Sequence, residues 1–165
     1  ALNNMVEIRV LFVCMGNICR SPLAEGVVRC LADRAKIGAF VEVDSAGTLA
    51  YHAGEQPDPR ARKVAASRGY DLSKMRARRV AEDDFSLFDL VLAMDRQNLA
   101  ALERVCPEEH LHKLRLFMEY AQDCEEDEIP DPYYGGPDGF ERVLDLCEAA
   151  ARGLIASIAG RKGRC

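Results

Sequence analysis

The chain has 165 residues, a formal net charge of -5, and 48% hydrophobic against 30% charged residues. That length suits one domain with a full hydrophobic core, and the composition excludes a collagen-like, low-complexity or largely disordered chain. An acidic balance gives no global attraction to nucleic acid or to an anionic membrane. The longest apolar runs, near Val10 to Met15 and Leu154 to Ala159, fall far short of the roughly 20 residues of a membrane span. The seven cysteines, Cys14, Cys19, Cys30, Cys106, Cys124, Cys147 and Cys165, lack the spacing of a disulfide framework. His52, His110 and His112 stand beside none of them in zinc-type spacing. These features predict a cytoplasmic protein with no cofactor, no metal, and neither nucleic acid nor membrane as partner. No signal peptide is evident. Residues 1–165 are expected to form a single domain, with Ala1 to Asn4 an expression remnant or disordered ahead of Met5 and Cys165 exposed at the end.

In chain order, Ile8 to Val13 is a β-branched apolar run that breaks into a turn at Met15-Gly16-Asn17, as a buried strand does. Ser21-Pro22 predicts a helix start, with Ser21 as a hydroxyl N-cap and Pro22 at the first helical position; Leu23, Val27, Val28 and Leu31 follow at helical spacing. Phe40 to Val43 reads as a second strand, Asp58-Pro59 opens a helix to about Arg68, and Leu87 to Met94 reads as a buried strand. Arg96 to Val105 is helical, Leu114 to Phe117 a fourth strand, and Phe140 to Ala159 a long amphipathic helix with Val143, Leu144, Cys147, Ile155 and Ile158 in the core. Strands alternating with helices predict a parallel sheet flanked by helices. Before the last helix, Glu125 to Glu128 lead into Ile129-Pro130-Asp131-Pro132-Tyr133-Tyr134-Gly135-Gly136, a long shaped loop of the kind that carries function.

Cys14-Met15-Gly16-Asn17-Ile18-Cys19-Arg20-Ser21 sets a cysteine at a strand end and an arginine six residues later, at a helix N-terminus. A strand-loop-helix turn can aim successive backbone N–H groups into one concavity, where the helix dipole adds partial positive charge. Arg20 adds a planar fork matched to phosphate oxygens. The same field favours a thiolate at Cys14, to which the Ser21 hydroxyl can donate. Asn17 tolerates the positive φ such a turn needs. Cys19 shares the loop, so it is a candidate redox partner that captures an oxidised Cys14 as a disulfide. The basic residues Arg60, Arg62, Lys63, Arg76, Arg78 and Arg79 are read as solvated faces, or else as attractors of acidic peptides.

These residues resemble the low-molecular-weight protein tyrosine phosphatases. The likeness runs from Val13 to Glu25 and continues in family order through Asp44-Ser45-Ala46-Gly47-Thr48, Asp58-Pro59-Arg60-Ala61, Ala93-Met94-Asp95 and Asp131-Pro132-Tyr133-Tyr134-Gly135. It implies an α/β fold: a four-stranded parallel sheet with helices on both faces and the phosphate-binding loop after the first strand. It also implies a metal-free hydrolase of phosphotyrosine and aryl phosphates. In that scheme Cys14 attacks phosphorus, the loop Met15, Gly16, Asn17, Ile18, Cys19 and Ser21 with Arg20 holds the phosphoryl oxygens, and Asp131 protonates the leaving phenolate. Pro130 and Pro132 restrict the backbone around Asp131, which predicts a held rather than a solvated carboxylate.

By the same resemblance Ser45 supports the loop through Asn17. Tyr51, Tyr133 and Tyr134 frame a deep slot for a phosphotyrosine ring, with His52 at its rim. Glu25 and Asp95 match positions near the pocket. Met75 stands where many relatives carry a supporting histidine, so that network must end differently here. The implied partners are tyrosine-phosphorylated proteins or peptides, with inorganic phosphate as product and inhibitor, for a monomer or weak homodimer. Two other readings compete. An arsenate reductase on this fold needs two further cysteines in a flexible segment, and Glu82 to Val105 holds none. A silent phosphotyrosine-binding module would have no use for Cys14, Arg20 and Asp131 together.

Overall fold

A computed structural model describes residues 6–162; Ala1 to Asn4 and Cys165 lie outside the described residues. Four strands, β1 (Ile8–Cys14), β2 (Val41–Gly47), β3 (Leu90–Ala93) and β4 (Leu114–Leu116), form one parallel sheet in the order β2-β1-β3-β4. Five α-helices join them: α1 (Arg20–Arg34), α2 (Pro59–Ser67), α3 (Glu82–Leu87), α4 (Arg96–Val105) and α5 (Pro137–Lys162). The α/β architecture expected from the sequence is thereby confirmed.

The period of two along β1 divides the core. Val10 and Phe12 pack with Leu23 and Val27 of α1, Val64 of α2 and Leu144 and Leu154 of α5. Leu11 and Val13 point the other way, against Phe85 of α3 and Leu102 of α4. Because both faces are covered, Val10 to Val13 are all fully buried, which is why β1 reads as a continuous apolar run rather than an alternating one.

Several boundaries differ from the sequence reading. The run from Leu87 to Met94 is not one strand: Leu87 closes α3 and is exposed, and β3 spans only Leu90–Ala93. Glu82, Asp83 and Asp84 occupy the first turn of α3, where the helix dipole favours negative charge, and Asp84 Oδ2 accepts the Ala81 N–H at 2.7 Å. The second strand starts at Val41 and continues through Asp44 to Gly47. Helix α5 gains about a turn at its start.

Strand order places the site. From β1 the chain crosses to β2 on one side, then returns past β1 to β3 on the other. The segments leaving the carboxyl ends of β1 and β3 therefore diverge, and they open the crevice in which parallel sheets of this kind bind ligands. Cys14 ends β1 and Asp95 follows β3, so both stand at that opening.

Candidate active site

The loop between β1 and α1 wraps a cavity of about 310 Å³ lined by Cys14, Met15, Gly16, Ile18, Cys19 and Arg20, with Leu49, Tyr51, His52, Asp131, Tyr133 and Tyr134 around its mouth. Cys14 Sγ is buried, 3.1 Å from Ser21 Oγ and 3.3 Å from the Asn17 N–H that donates to it. Ser21 is not the N-cap expected from the sequence. The helix begins at Arg20 with Cys19 at the cap and no side chain capping it. Ser21 instead turns its hydroxyl inward to Cys14, and the first-turn amides of α1 stay available to an anion.

Behind the loop lies a continuous polar chain. Asn17 takes φ 58°, a left-handed conformation that its side chain secures with three bonds. Its Nδ2 donates to Ser21 Oγ at 2.8 Å and to Ser45 Oγ at 3.0 Å, and its Oδ1 accepts the Arg78 N–H at 3.0 Å. With Asn17 donating to Ser21 Oγ, the hydroxyl proton of Ser21 can point at Cys14, the Ala46 carbonyl at 3.4 Å being the other acceptor in reach. Ser45 Oγ donates onward to Glu25 Oε1 at 2.7 Å, and Arg29 binds the other Glu25 oxygen at 2.6 Å. The network thus ends on the Glu25–Arg29 pair, while Met75 packs against the core. Burial pushes the Glu25 carboxyl up, and the Ser45 and Arg29 bonds oppose that.

Gly47, at the end of β2, brings the backbone against the loop. A Cβ there would lie 2.7 Å from the Met15 carbonyl oxygen and 3.2 Å from the Asn17 nitrogen. Beside it, Thr48 N–H donates to the Cys14 carbonyl and Leu49 N–H to the Met15 carbonyl. Gly47→Ala must displace the loop from β2. The expected result is a stability loss of about 1–3 kcal/mol and, since misplacing reacting groups by about 1 Å costs ~10²-fold, a drop in kcat/KM of that order. Thermal unfolding and steady-state kinetics on the variant check both; unchanged kinetics would contradict the close approach.

Arg20 is buried and held from behind. Its Nη1 donates to Asp95 Oδ2 at 2.6 Å and to the Ile129 carbonyl at 3.0 Å. The other Asp95 oxygen accepts the Asn98 N–H at 2.7 Å and caps α4, so one carboxylate both starts a helix and aims a guanidinium. Desolvation works against the Arg20 charge, but Cys14 and Asp95 outweigh it and hold the group above the usual arginine value. Ile129 is buried and its N–H donates to the Met94 carbonyl at 2.8 Å, which fixes one end of the Asp131 loop just beyond β3.

Asp131 reaches the cavity mouth, where the carboxylate expected to be held rather than solvated is both held and open to solvent. The residue is exposed, and it is held by the Tyr133 N–H, which donates to its Oδ1 at 3.0 Å.

The aromatic wall is also rearranged. Tyr51 and Tyr134 are 85% and 94% exposed, so they form an outer rim rather than the sides of a closed slot. His52 lies deeper than the rim position expected of it. Its Cδ2 sits 3.1 Å from where a Gly16 Cβ would be, its Nδ1 is 2.7 Å from Glu55 Oε2, and its ring faces that of Tyr133 at 6.5 Å. The inner walls are therefore His52 and Tyr133. Gly47 and Ile129 were not assigned roles from the sequence, and Arg60 and Arg78, expected on solvated faces or as attractors of acidic peptides, are instead bonded within the protein, Arg60 to Asp58 and the Tyr133 carbonyl and Arg78 to Asp44 and Asp84. Ile129 and Arg78 act on the site through backbone groups that any residue supplies, whereas Arg60 and Gly47 lay within the matched blocks and so carried a signal.

A cysteine in an anion-binding loop, a buried arginine behind it and a carboxylate at the mouth define an enzyme of cysteine-based phosphoryl chemistry. Comparisons with known proteins give the family. Residues 9–163 match the family model described as low molecular weight phosphotyrosine protein phosphatase. A low molecular weight protein-tyrosine-phosphatase of Streptomyces coelicolor is 48% identical over 91% of this chain and 93% of its own. The human low molecular weight phosphotyrosine protein phosphatase is 38% identical over 88% and 92%. A crystal structure of an Entamoeba histolytica protein tyrosine phosphatase with Hepes in the active site superposes with a TM-score of 0.90 at 42% identity, covering 94% of this chain and 99% of that one. The chain belongs to the low molecular weight phosphotyrosine protein phosphatase family.

Proposed function

We propose that Cys14 is the nucleophile, Arg20 and the amides of the loop from Met15 to Cys19 the oxyanion cradle, and Asp131 the general acid with which this chain hydrolyses phosphotyrosine. The protein is a protein-tyrosine phosphatase, a metal-independent hydrolase working through a cysteinyl-phosphate. The observation that carries the residue assignment is the placement of Cys14 Sγ at the cavity floor, between two hydrogen-bond donors and beside Arg20.

The Cys14 thiolate attacks phosphorus in line; an S–P bond forms as the P–O bond to the phenol breaks. Charge on the three equatorial oxygens meets the loop amides and the Nε–Nη2 edge of Arg20, whose Nη1 is committed to Asp95 and Ile129. Asp131 gives its proton to the departing phenolate oxygen, then takes one from the water that cleaves the S–P bond and releases phosphate. His52 and Tyr133 flank the ring of the substrate. A phosphoserine is too short to carry its phosphorus past these walls to the floor, so tyrosine-phosphorylated proteins and peptides are the substrates. Turnover of an aryl phosphate in excess EDTA, with acid quench trapping phosphate on Cys14, tests the reading. Loss of turnover on chelation, or no phosphate on Cys14, would overturn it.

The six described cysteines are free thiols, as suits the cytoplasm in which we place the protein. Among the described residues no helix is long and apolar enough to cross a membrane. Cys19 is the candidate resolving thiol. Burial, then the charges of Asp58 and Cys14, push it well above the usual cysteine range, so little thiolate is present to attack a Cys14 sulfenic acid. Disulfide capture is therefore expected to be slow but protective: after brief peroxide treatment a thiol reductant restores activity in the parent and not in Cys19→Ser. Equal recovery in both removes Cys19 from the switch.

A further inference from the structure

Arg60 sits on α2, outside the phosphate loop and outside the Asp131 loop, yet it bonds the Asp131 loop directly and is tied to the phosphate loop through Asp58. Its Nε and Nη2 clasp the Asp58 carboxylate at 3.0 and 2.9 Å. Its Nη1 donates to the Tyr133 carbonyl at 2.9 Å. The guanidinium plane lies 5.3 Å from the Tyr133 ring centroid and 4.7 Å from that of Phe140 at the start of α5. Asp58 in turn donates its N–H to the Ile18 carbonyl of the phosphate loop at 2.8 Å. A single path of contacts therefore runs from the phosphate loop through Asp58 and Arg60 to Tyr133, whose own N–H holds Asp131 Oδ1.

We infer that Arg60 is a positioning residue that sets the Asp131 carboxyl over the leaving-group oxygen, by fixing Tyr133 to the phosphate loop. The inference rests on Asp131 being the general acid. The Asp131 segment is anchored at its other end by Ile129 on Met94 and Arg20. Without Arg60 the backbone of the Tyr133 end keeps its own local turn, with the His52 ring beside the tyrosine, but loses its bond to α2. An exposed carboxylate on such a segment spreads over many positions, and proton transfer in the transition state demands one of them. A planar cation serves here because it can bind a carboxylate edge-on, donate to a carbonyl and stack on two rings at once; a lysine ammonium has no plane for this.

The experiment measures kcat/KM for aryl phosphates whose leaving phenols run from strongly acidic to tyrosine-like, in the parent, Arg60→Ala, Arg60→Lys, Asp131→Asn and the Arg60→Ala/Asp131→Asn double variant. The kcat/KM of Arg60→Ala is expected to fall about 10- to 100-fold on basic phenols and little on acidic ones, which leave without a proton, while competitive inhibition by inorganic phosphate stays as in the parent. Arg60→Lys, which conserves charge and so tests the fold as well, is expected to show the same leaving-group dependence in weaker form. In the Asp131→Asn background Arg60→Ala should add nothing, since its effect passes through Asp131. A uniform loss across all phenols with weakened phosphate inhibition would mean that Arg60 merely supports the fold. Undiminished kcat/KM in both Arg60 variants, or full additivity with Asp131→Asn, would also overturn the inference while leaving the general acid intact. If Asp131→Asn itself shows no steeper dependence on the phenol, the general-acid reading fails first.

Discussion

Cys14→Ser is expected to abolish turnover, with kcat falling by about 10⁴- to 10⁶-fold, the range seen when a covalent nucleophile is removed from an otherwise intact site. The substitution changes one atom, and that atom is poised by geometry rather than by a partner base. Sγ lies at the carboxyl end of β1 between the Ser21 hydroxyl and the Asn17 amide, in a loop that also opens α1. These donors and the nearby Arg20 stabilise an anion, and sulfur becomes one readily where a hydroxyl does not. A serine oxygen at the same place keeps its proton, since the partners of the cysteine sulfur among the described residues are a hydroxyl and a backbone amide rather than a base. The cradle itself is untouched, so Cys14→Ser should still bind inorganic phosphate and aryl phosphates. Isothermal titration with a non-reactive phosphotyrosine peptide in the variant separates loss of chemistry from loss of the site. Residual turnover above about a thousandth of the parent, in protein shown free of wild-type contamination, would exclude Cys14 as nucleophile.

Asp131→Asn should lower kcat/KM for phosphotyrosine by about 10²- to 10⁴-fold, the usual worth of a positioned general acid, and by far less for an aryl phosphate with an acidic phenol. The contrast follows from proton demand: a phenolate related to tyrosine, with a pKa of about 10, is a poor leaving group unless protonated. A variant whose leaving-group dependence matches the parent would transfer the acid role elsewhere.

Much of this site is local in sequence and was legible there. Cys14 to Ser21 lie on consecutive positions of one strand-loop-helix turn, and Asp131 is set off by Pro130 and Pro132 in a segment whose prolines and glycines rule out regular structure. The buried run of β1 and the Asp58-Pro59 start of α2 could be read because each is a short-range pattern, an apolar strand or a cap with proline at the first helical position. The failures are equally physical. Helix α3 is six residues long, too short to show a helical period, so Leu87 looked like the edge of a strand. Ser21 carries the chemistry of an N-cap, but a second hydrogen-bond partner, Cys14 Sγ, was competing for its hydroxyl from across the loop.

The class of chemistry is written along the chain: which residues are present, in what order, and that a cysteine and an arginine share one anion-binding turn. How those residues are held depends on the folded arrangement. Asp95 arrives after β3, at the cap of α4, to aim Arg20, Gly47 on β2 to let the loop close, Glu25 and Arg29 to end the polar chain where Met75 has no hydrogen bond to offer, and Arg60 to join the acid loop to the phosphate loop. Apart from the Glu25–Arg29 pair within α1, each of these contacts joins segments distant along the chain. Their positions follow from strand order and helix packing, which depend on burial of the whole core and not on any local run of residues.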